Sequence, residues 1–217
     1  MSIRILLVDD HQMMRDGLRS ILDLEGDLEV VGEAANGYEA LEMAKTLRPE
    51  VIVMDIAMKD LNGIDATRQI MAQDPRAKVI ALSTHSDEPF VLSMLEAGAS
   101  GYVLKDSAVD EMRRAIRVVA GGHHYLSPEV AGSVVHSHLR GPSQERVSVH
   151  SLLAPRERQI LQLLAEGQTS SEIARKLHIA TTTVDSHRRN IMKKLDLHSV
   201  AELTKYAIRQ GLTSLDR

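Results

Sequence analysis

The chain contains no cysteine, no tryptophan and a single phenylalanine, and aromatic residues make up 2% of its 217 residues. Without cysteine there is no disulfide, no thiolate nucleophile and no cysteine-ligated zinc site. The scarcity of aromatic rings argues against binding of single-stranded nucleic acid by base stacking. The cores must therefore be built from Leu, Ile, Val, Met and Ala.

Long apolar runs are missing as well. The apolar start, Met1 to Val8, is closed by Asp9 and Asp10, and it is too short for a signal peptide or a membrane span. We therefore expect a cytoplasmic protein that has no membrane partner.

Charge is distributed unevenly along the chain. Residues 1–121 carry 13 Lys and Arg against 21 Asp and Glu, a net charge of −8. Residues 122–150 carry two of each sign, and residues 151–217 carry 11 basic against 7 acidic residues, a net charge of +4. An acidic front and a basic end indicate two modules with different partners, the second a candidate for binding a polyanion.

Five short apolar runs alternate with segments of helical periodicity in residues 1–121. The runs are Ile3–Val8, Leu28–Gly32, Val51–Met54, Val79–Leu82 and Gly101–Leu104. Several are apolar at every position, which is typical of strands covered on both faces. Five such repeats predict an α/β domain over residues 1–121, with a doubly wound, five-stranded parallel sheet.

The pattern changes after residue 121. Residues 122–150 are polar and weakly periodic, and they predict a linker with one short helix that starts near Ser127-Pro128-Glu129. Residues 151–217 predict a small all-α domain of four helices. The middle two, 169–177 and 182–195, are separated by a short turn, which is typical of a helix-turn-helix. The first of the four begins at Pro155, and Ala154 before it lacks a capping side chain.

Polar residues follow four of the five predicted strands. They are Asp9 and Asp10, Asp55, Ser83, and Lys105. Because ligands bind outside the carboxyl ends of strands in open parallel sheets, we expect these side chains to converge. The set contains what phosphoryl transfer to a carboxylate needs: a nucleophilic Asp, oxygen ligands for Mg2+, a lysine that neutralises a phosphoryl oxygen, and a hydroxyl donor.

Three segments, Ile5–His11, Val51–Asp55 and Ala97–Lys105, resemble a CheY-like receiver domain, whose fold is flavodoxin-like. The resemblance implies that Asp55 is the phosphoacceptor and that a sensor histidine kinase is the donor. It implies that Mg2+ is held by Asp9, Asp10, Asp55 and the carbonyl of Ala57. It also implies that the switch and phosphate-contact residues are Ser83, Tyr102 and Lys105.

The second helix of the helix-turn-helix is basic. In such motifs the N-terminal part of this helix enters the major groove, where Arg189 is the candidate for pairing with guanine. Three further cations are assigned to phosphates: Arg188, Lys193 and Lys194. Charge spacing alone is equally compatible with a solvated basic face on an ordinary helical hairpin.

Three further segments, Pro155–Leu161, Glu172–Ala174 and Thr183–Leu195, resemble a LuxR-type helix-turn-helix. That resemblance implies that the residues at or near DNA are Thr183, Asp185, Ser186, Arg188 and Arg189. A receiver followed by this domain is the layout of NarL/FixJ-type two-component response regulators. The expected function is phosphorylation at Asp55 and regulation of transcription on double-stranded DNA, with a homodimer as the active form.

Two other functions compete with this interpretation. The first is a DNA-binding regulator controlled without phosphorylation. The second is an enzyme, a phosphatase with an aspartyl nucleophile on a similar sheet. Such phosphatases have an Asp-x-Asp spacing after the first strand, which Asp9-Asp10-His11 does not match, so we expect no enzyme.

Overall fold

A computed structural model of the chain describes residues 2–107, 109–139 and 152–213. It divides into two compact units, Met1–Gly141 and Pro142–Arg217. Among the described residues, no helix combines the length and the apolar character needed to cross a membrane.

The first unit is a parallel sheet with helices on both faces. Its strands are β1 (Ile3–Val8), β2 (Leu28–Ala34), β3 (Val51–Asp55), β4 (Val79–Ser83), β5 (Gly101–Leu104) and β6 (Tyr125–Leu126). Its helices are α1 (Gln12–Leu22), α2 (Gly37–Leu47), α3 (Gly63–Gln73), α4 (Glu88–Glu96), α5 (Val109–Ala120) and α6 (Pro128–Leu139). The strand order is β2-β1-β3-β4-β5-β6, and every neighbouring pair is parallel.

The α/β doubly wound fold is confirmed, but the predicted strand count of five is wrong by one. The sixth strand, β6, lies in the segment predicted to be linker and pairs with β5. It has only two residues, too few to show any periodicity, and it gains its strand geometry from the pairing. The helix predicted within that segment is α6. The boundaries 1–121, 122–150 and 151–217 stay predictions.

Two apolar cores cover the two faces of the sheet. One contains Ala40 of α2, Ile64 of α3, Val91 of α4 and Val130 of α6. The other contains buried side chains of α1 and α5, such as Leu22 and Ile116. Because both faces are covered, the strands have few positions for polar residues, and these fall at the strand ends.

Gly63 allows α3 to begin close to the end of β3. A Cβ atom on this residue would lie 2.0 Å from the carbonyl oxygen of Asp55, and the Gly63 N–H donates to the carbonyl of Ile56 at 2.9 Å. No side chain fits at that distance. The close approach fixes the loop that follows Asp55.

The second unit has four described helices, as predicted: α7 (Pro155–Ala165), α8 (Ser170–Lys176), α9 (Thr181–Leu195) and α10 (Val200–Arg209). Their buried side chains form one core, which includes Leu161, Ile173, Val184 and Leu203. The Thr169 hydroxyl accepts the Glu172 N–H at 3.3 Å, and the Glu172 carboxylate accepts the Thr169 N–H at 2.8 Å, so α8 begins with a capping box.

Candidate functional sites

The ends of β1, β3, β4 and β5 bring the predicted acidic site together. The Lys105 Nζ lies 2.8 Å from Oδ2 of Asp9 and 3.1 Å from Oδ2 of Asp55. Asp9 and Asp55 are 1% and 3% exposed. Ser83 ends β4, one residue beyond Leu82, which pairs with Asp55 across the sheet. The site is a buried carboxylate pair that shares one lysine.

The carboxylates around Asp55 suit a divalent cation. Asp9, Asp10, His11 and Asp55 each present a ligand atom, and these atoms all lie within 4.8 Å of one another. The buried Asp9 Oδ2 lies 2.8 Å from the Lys105 Nζ, and the buried Asp10 Oδ1 lies 2.9 Å from the His11 Nδ1. Carboxylate oxygens gathered this closely are hard ligands of the kind that a divalent cation takes. The cluster therefore fits such an ion.

Ala57 and His11 also lie beside the carboxylates of the site. The Ala57 N–H donates to Oδ1 of Asp55 at 3.4 Å, while the role of the Ala57 carbonyl as a metal ligand stays a prediction. The His11 Nδ1 lies 2.9 Å from Oδ1 of Asp10 and 3.2 Å from Oδ1 of Asp9. The sequence prediction did not include His11 in the site, although its position directly after Asp9 and Asp10 could have indicated it.

Burial and neighbouring charges together set the protonation of the two central groups. Burial, helped by the charges of Asp9 and Asp10 and opposed by Lys105, raises the pKa of Asp55 to about 6. Burial alone would lower the pKa of Lys105, but the carboxylates of Asp55 and Asp9 raise it overall. Lys105 therefore stays charged, in a position to neutralise an anionic group that approaches Asp55.

Tyr102 and Ser83 are both connected to the loop after β4. The buried Tyr102 hydroxyl donates to the carbonyl of His85 at 2.7 Å, and burial raises the pKa of this phenol. The Ser83 hydroxyl oxygen accepts the His85 N–H at 3.0 Å. The His85 ring stacks on Phe90 of α4, with ring centroids 4.4 Å apart. His85 therefore links the predicted switch pair to α4, a role that no sequence spacing indicates.

The residues predicted to contact DNA lie on α9. Thr183, Ser186, Arg189 and Lys193 are exposed, whereas Arg188 is partly buried. The Arg188 Nε is buried and has no hydrogen-bond partner. The guanidinium of Arg189 lies against the same turn, with Nη2 3.3 Å from the Ser186 hydroxyl. Arg189 and Lys193 are thus free to reach a ligand from an exposed face.

Two of the predicted DNA-contact residues are held by other helices. Asp185 accepts a hydrogen bond from the Ser170 hydroxyl of α8 at 2.8 Å. Lys194 donates to Oε2 of Glu157 in α7 at 2.7 Å. Burial would raise the pKa of Glu157, but the bonds from Lys194 and the Ala154 N–H lower it overall. These contacts fix α9 against α8 and α7, and they occupy both side chains inside the unit.

At the strand ends of the doubly wound sheet, buried carboxylates lie beside a lysine. The same chain carries a basic helix-turn-helix. Together these two features define the class of two-module response regulators. The profile of the family described as "Response regulator receiver domain" matches residues 5–117. The profile described as "Bacterial regulatory proteins, luxR family" matches residues 151–207. The chain belongs to the response regulators that carry a LuxR-type DNA-binding domain.

Individual relatives match over nearly the whole chain. The transcriptional regulatory protein LiaR of Bacillus subtilis is 42% identical over 98% of this chain and 100% of its own length. A LuxR-family two-component response regulator from Aurantimonas sp. SI85-9A1 superimposes with a TM-score of 0.62 at 35% identity, over 64% of this chain and 99% of that one. The response regulator ChrA of a haem-sensing two-component system is 36% identical, over 97% of this chain and 98% of that one, with a TM-score of 0.53.

Proposed function

We propose that the chain takes up a phosphoryl group on Asp55 and that this controls binding of double-stranded DNA by α9. The convergence of buried Asp55 with Asp9 and Lys105 at one sheet edge carries the proposal. A lone acidic residue at a strand end is common. A buried carboxylate with a shared lysine and an adjacent acidic cluster has the parts of a phosphoacceptor site.

The reaction forms a bond between a carboxylate oxygen of Asp55 and the phosphorus of the donor, whose own bond to phosphorus breaks. For a sensor histidine kinase that bond joins phosphorus to an imidazole nitrogen, and the freed imidazole keeps the electron pair. Lys105, 3.1 Å from Asp55, neutralises one phosphoryl oxygen. Ser83 is the proposed donor to another.

Mg2+ is the cofactor that we propose for this site, with Asp9, Asp10, Asp55 and the carbonyl of Ala57 as protein ligands. The donor set is made of hard oxygens, and the carboxylates of Asp9, Asp10 and Asp55 each present one within 4.8 Å of the others. When bound, the ion screens the charge of the incoming phosphoryl group. Asp55 must be ionised to attack, and a cation beside it favours that state.

The donor is inferred from the family. A receiver domain takes its phosphoryl group from a sensor histidine kinase, and the relative ChrA is named as part of a two-component system. We assign no enzymatic turnover to the chain itself. Since we propose a DNA target, we place the action of the chain in the cytoplasm.

DNA binding is assigned to the second unit. Arg189 is the proposed base reader and Lys193 the proposed phosphate contact, since both are exposed on α9. Thr183, Ser186 and Arg188 stay candidates for contacts near the groove. Two copies, paired as a homodimer, would read half-sites about one helical turn or a multiple of it apart.

Transfer of labelled phosphate from acetyl phosphate tests the proposal. We expect label on the full chain with Mg2+, little label without it, and none on Asp55→Asn. Asp16→Asn, a change at an exposed carboxylate of α1, serves as the control and should label like the wild type. Absence of label on the wild type, with DNA binding intact, would instead support a regulator controlled without phosphorylation.

A further inference from the structure

Ser127 is a buried hydroxyl residue between β6 and α6, at 0% exposure. Its N–H donates to the carbonyl of Tyr102 at 2.9 Å. Its hydroxyl donates to Oε1 of Glu111 in α5 and accepts the Leu104 N–H at 3.4 Å. The residue thus connects α5 and the start of α6 to the end of β5, next to Lys105.

Ser127 also begins α6. Its carbonyl accepts the N–H groups of Val130 at 2.9 Å and Ala131 at 3.0 Å. Val130 is fully buried in the same core as Tyr102 and Val91 of α4. The start of α6 is therefore fixed by Ser127 and by packing on the sheet, and α6 also packs against α4.

Tyr102 reaches α6 by two routes. The first is the β5 backbone, through the bond from the Ser127 N–H. The second begins at the Tyr102 hydroxyl, which donates to the His85 carbonyl, and continues through the His85–Phe90 stack into α4. A displacement of Tyr102 must change at least one of these sets of contacts, because both are made by the same residue. A shared element of this kind couples two sites when it has two arrangements that both sites favour to different degrees.

We propose that Ser127 is a positioning residue that carries a change at Tyr102 and Lys105 into α6. The proposal rests on the phosphorylation of Asp55 proposed above. A phosphoryl group on Asp55 attracts the Lys105 ammonium. Lys105 follows Leu104, whose N–H donates to the Ser127 hydroxyl. In the phosphorylated state the bonds of Ser127 to Leu104 and Tyr102 rearrange, and the first turn of α6 loosens. Because α6 is the last described element before the second unit in sequence, a change in α6 reaches the part of the chain that leads to the DNA-binding domain.

Three variants separate the coupling from simple folding. Ser127→Ala removes the donor, and Glu111→Ala removes its acceptor. Glu111→Gln keeps a carbonyl oxygen that can accept the same bond, so it should restore the coupling. Ser20→Ala is the matched control, because the Ser20 hydroxyl makes an exposed bond within α1 to the Asp16 carbonyl.

The experiment measures hydrogen exchange of the α6 amides in the full chain with Mg2+, with and without beryllium fluoride as the phosphoryl stand-in. Fluorine NMR measures binding of the stand-in to the same samples. We expect exchange in wild type, Glu111→Gln and Ser20→Ala to rise by about fivefold on binding, which corresponds to about 1 kcal/mol. In Ser127→Ala and Glu111→Ala the response should fall below about twofold, with binding of the stand-in retained.

Two results overturn the inference in distinguishable ways. If beryllium fluoride binds the wild type but α6 exchange is unchanged, or if Ser127→Ala and Glu111→Ala keep the full response, Ser127 does not couple the elements. If the wild type fails to bind beryllium fluoride at Asp55 with Mg2+ present, the proposed phosphoacceptor function fails, and this inference fails with it.

Discussion

At the scale of single residues, Asp55 is held where its charged form is unfavourable. Burial raises its pKa from 3.8 to about 6, and Lys105 offsets this only in part. Between pH 3.8 and about pH 6, Asp55 is therefore protonated to a larger extent in the folded state than in the unfolded state. The free energy of unfolding falls as the pH rises through that window, and this loss is complete above about pH 6.

The change Asp55→Asn should therefore stabilise the metal-free protein near pH 8, because the amide carries no charge to bury. The rise in pKa sets an upper limit of about 3 kcal/mol, and we expect on the order of 1–3 kcal/mol. Near pH 4 the gain should shrink, because Asp55 is then protonated in the folded wild type. Urea unfolding in EDTA at both pH values measures this. A gain that is equal at both would contradict the assigned pKa.

At the scale of secondary-structure elements, α9 separates cations that face solvent from one that braces the unit. Arg189, Lys193 and Lys194 are all exposed, but Lys194 is also bound to the nearly buried Glu157 of α7. Arg189 and Lys193 lose little when they move to a phosphate or a base. If Lys194 moved, the Glu157 carboxylate would be left nearly buried without its cation, which is unfavourable.

Replacement of each cation by alanine should give a different loss of DNA affinity. We expect Arg189→Ala to cost about 1–3 kcal/mol on a duplex selected from a random library, and to relax the preference at one base pair. Lys193→Ala should weaken binding to all sequences and reduce the salt slope by about 1. Lys194→Ala should change the salt slope less than Lys193→Ala does and should destabilise the unit instead. Titrations at several salt concentrations measure all three, and an equal slope change for both lysines would contradict the assignment.

The start of α7 lacks a side-chain cap. Ala154 has the extended backbone of an N-cap residue, φ −62° and ψ 156°, and its N–H is already bound by Glu157. Ala154→Ser should therefore complete a capping box and stabilise α7 by about 1 kcal/mol.

Native-state hydrogen exchange of the α7 amides measures this gain as a slowing of about fivefold. Ala201→Ser is the matched control. It places serine at the second residue of α10, an exposed position where Ser199 already caps the helix, so that no cap is gained. Equal effects of the two serines would show that capping is not the cause.

The strands and the acidic site could be predicted because both follow from local rules. Apolar runs such as Val51–Met54 indicate buried strands, and parallel strands place Asp9, Asp55 and Lys105 at one edge. β6 could not be predicted, since two residues carry no period. The bond from Lys194 to Glu157 spans 37 residues, and the Tyr102 bond to the His85 carbonyl spans 17. Such pairings depend on how helices and loops pack, which spacing does not encode.

At the scale of the whole molecule, the chain joins two compact units of opposite charge. The first 121 residues carry −8 and the last 67 carry +4. The phosphoacceptor site belongs to the acidic unit and the exposed cations of α9 to the basic unit. Control of DNA binding by Asp55 therefore requires a signal that leaves the first unit.

DNA binding by the full chain, with and without acetyl phosphate and Mg2+, tests this control by Asp55 most directly. The wild type and the Asp16→Asn control should bind the selected duplex more tightly after treatment, by on the order of tenfold, or about 1.4 kcal/mol. Asp55→Asn should keep the untreated affinity and show no increase. An equal increase for Asp55→Asn, or no increase for a wild type that has taken up label, would contradict control of DNA binding by phosphorylation of Asp55.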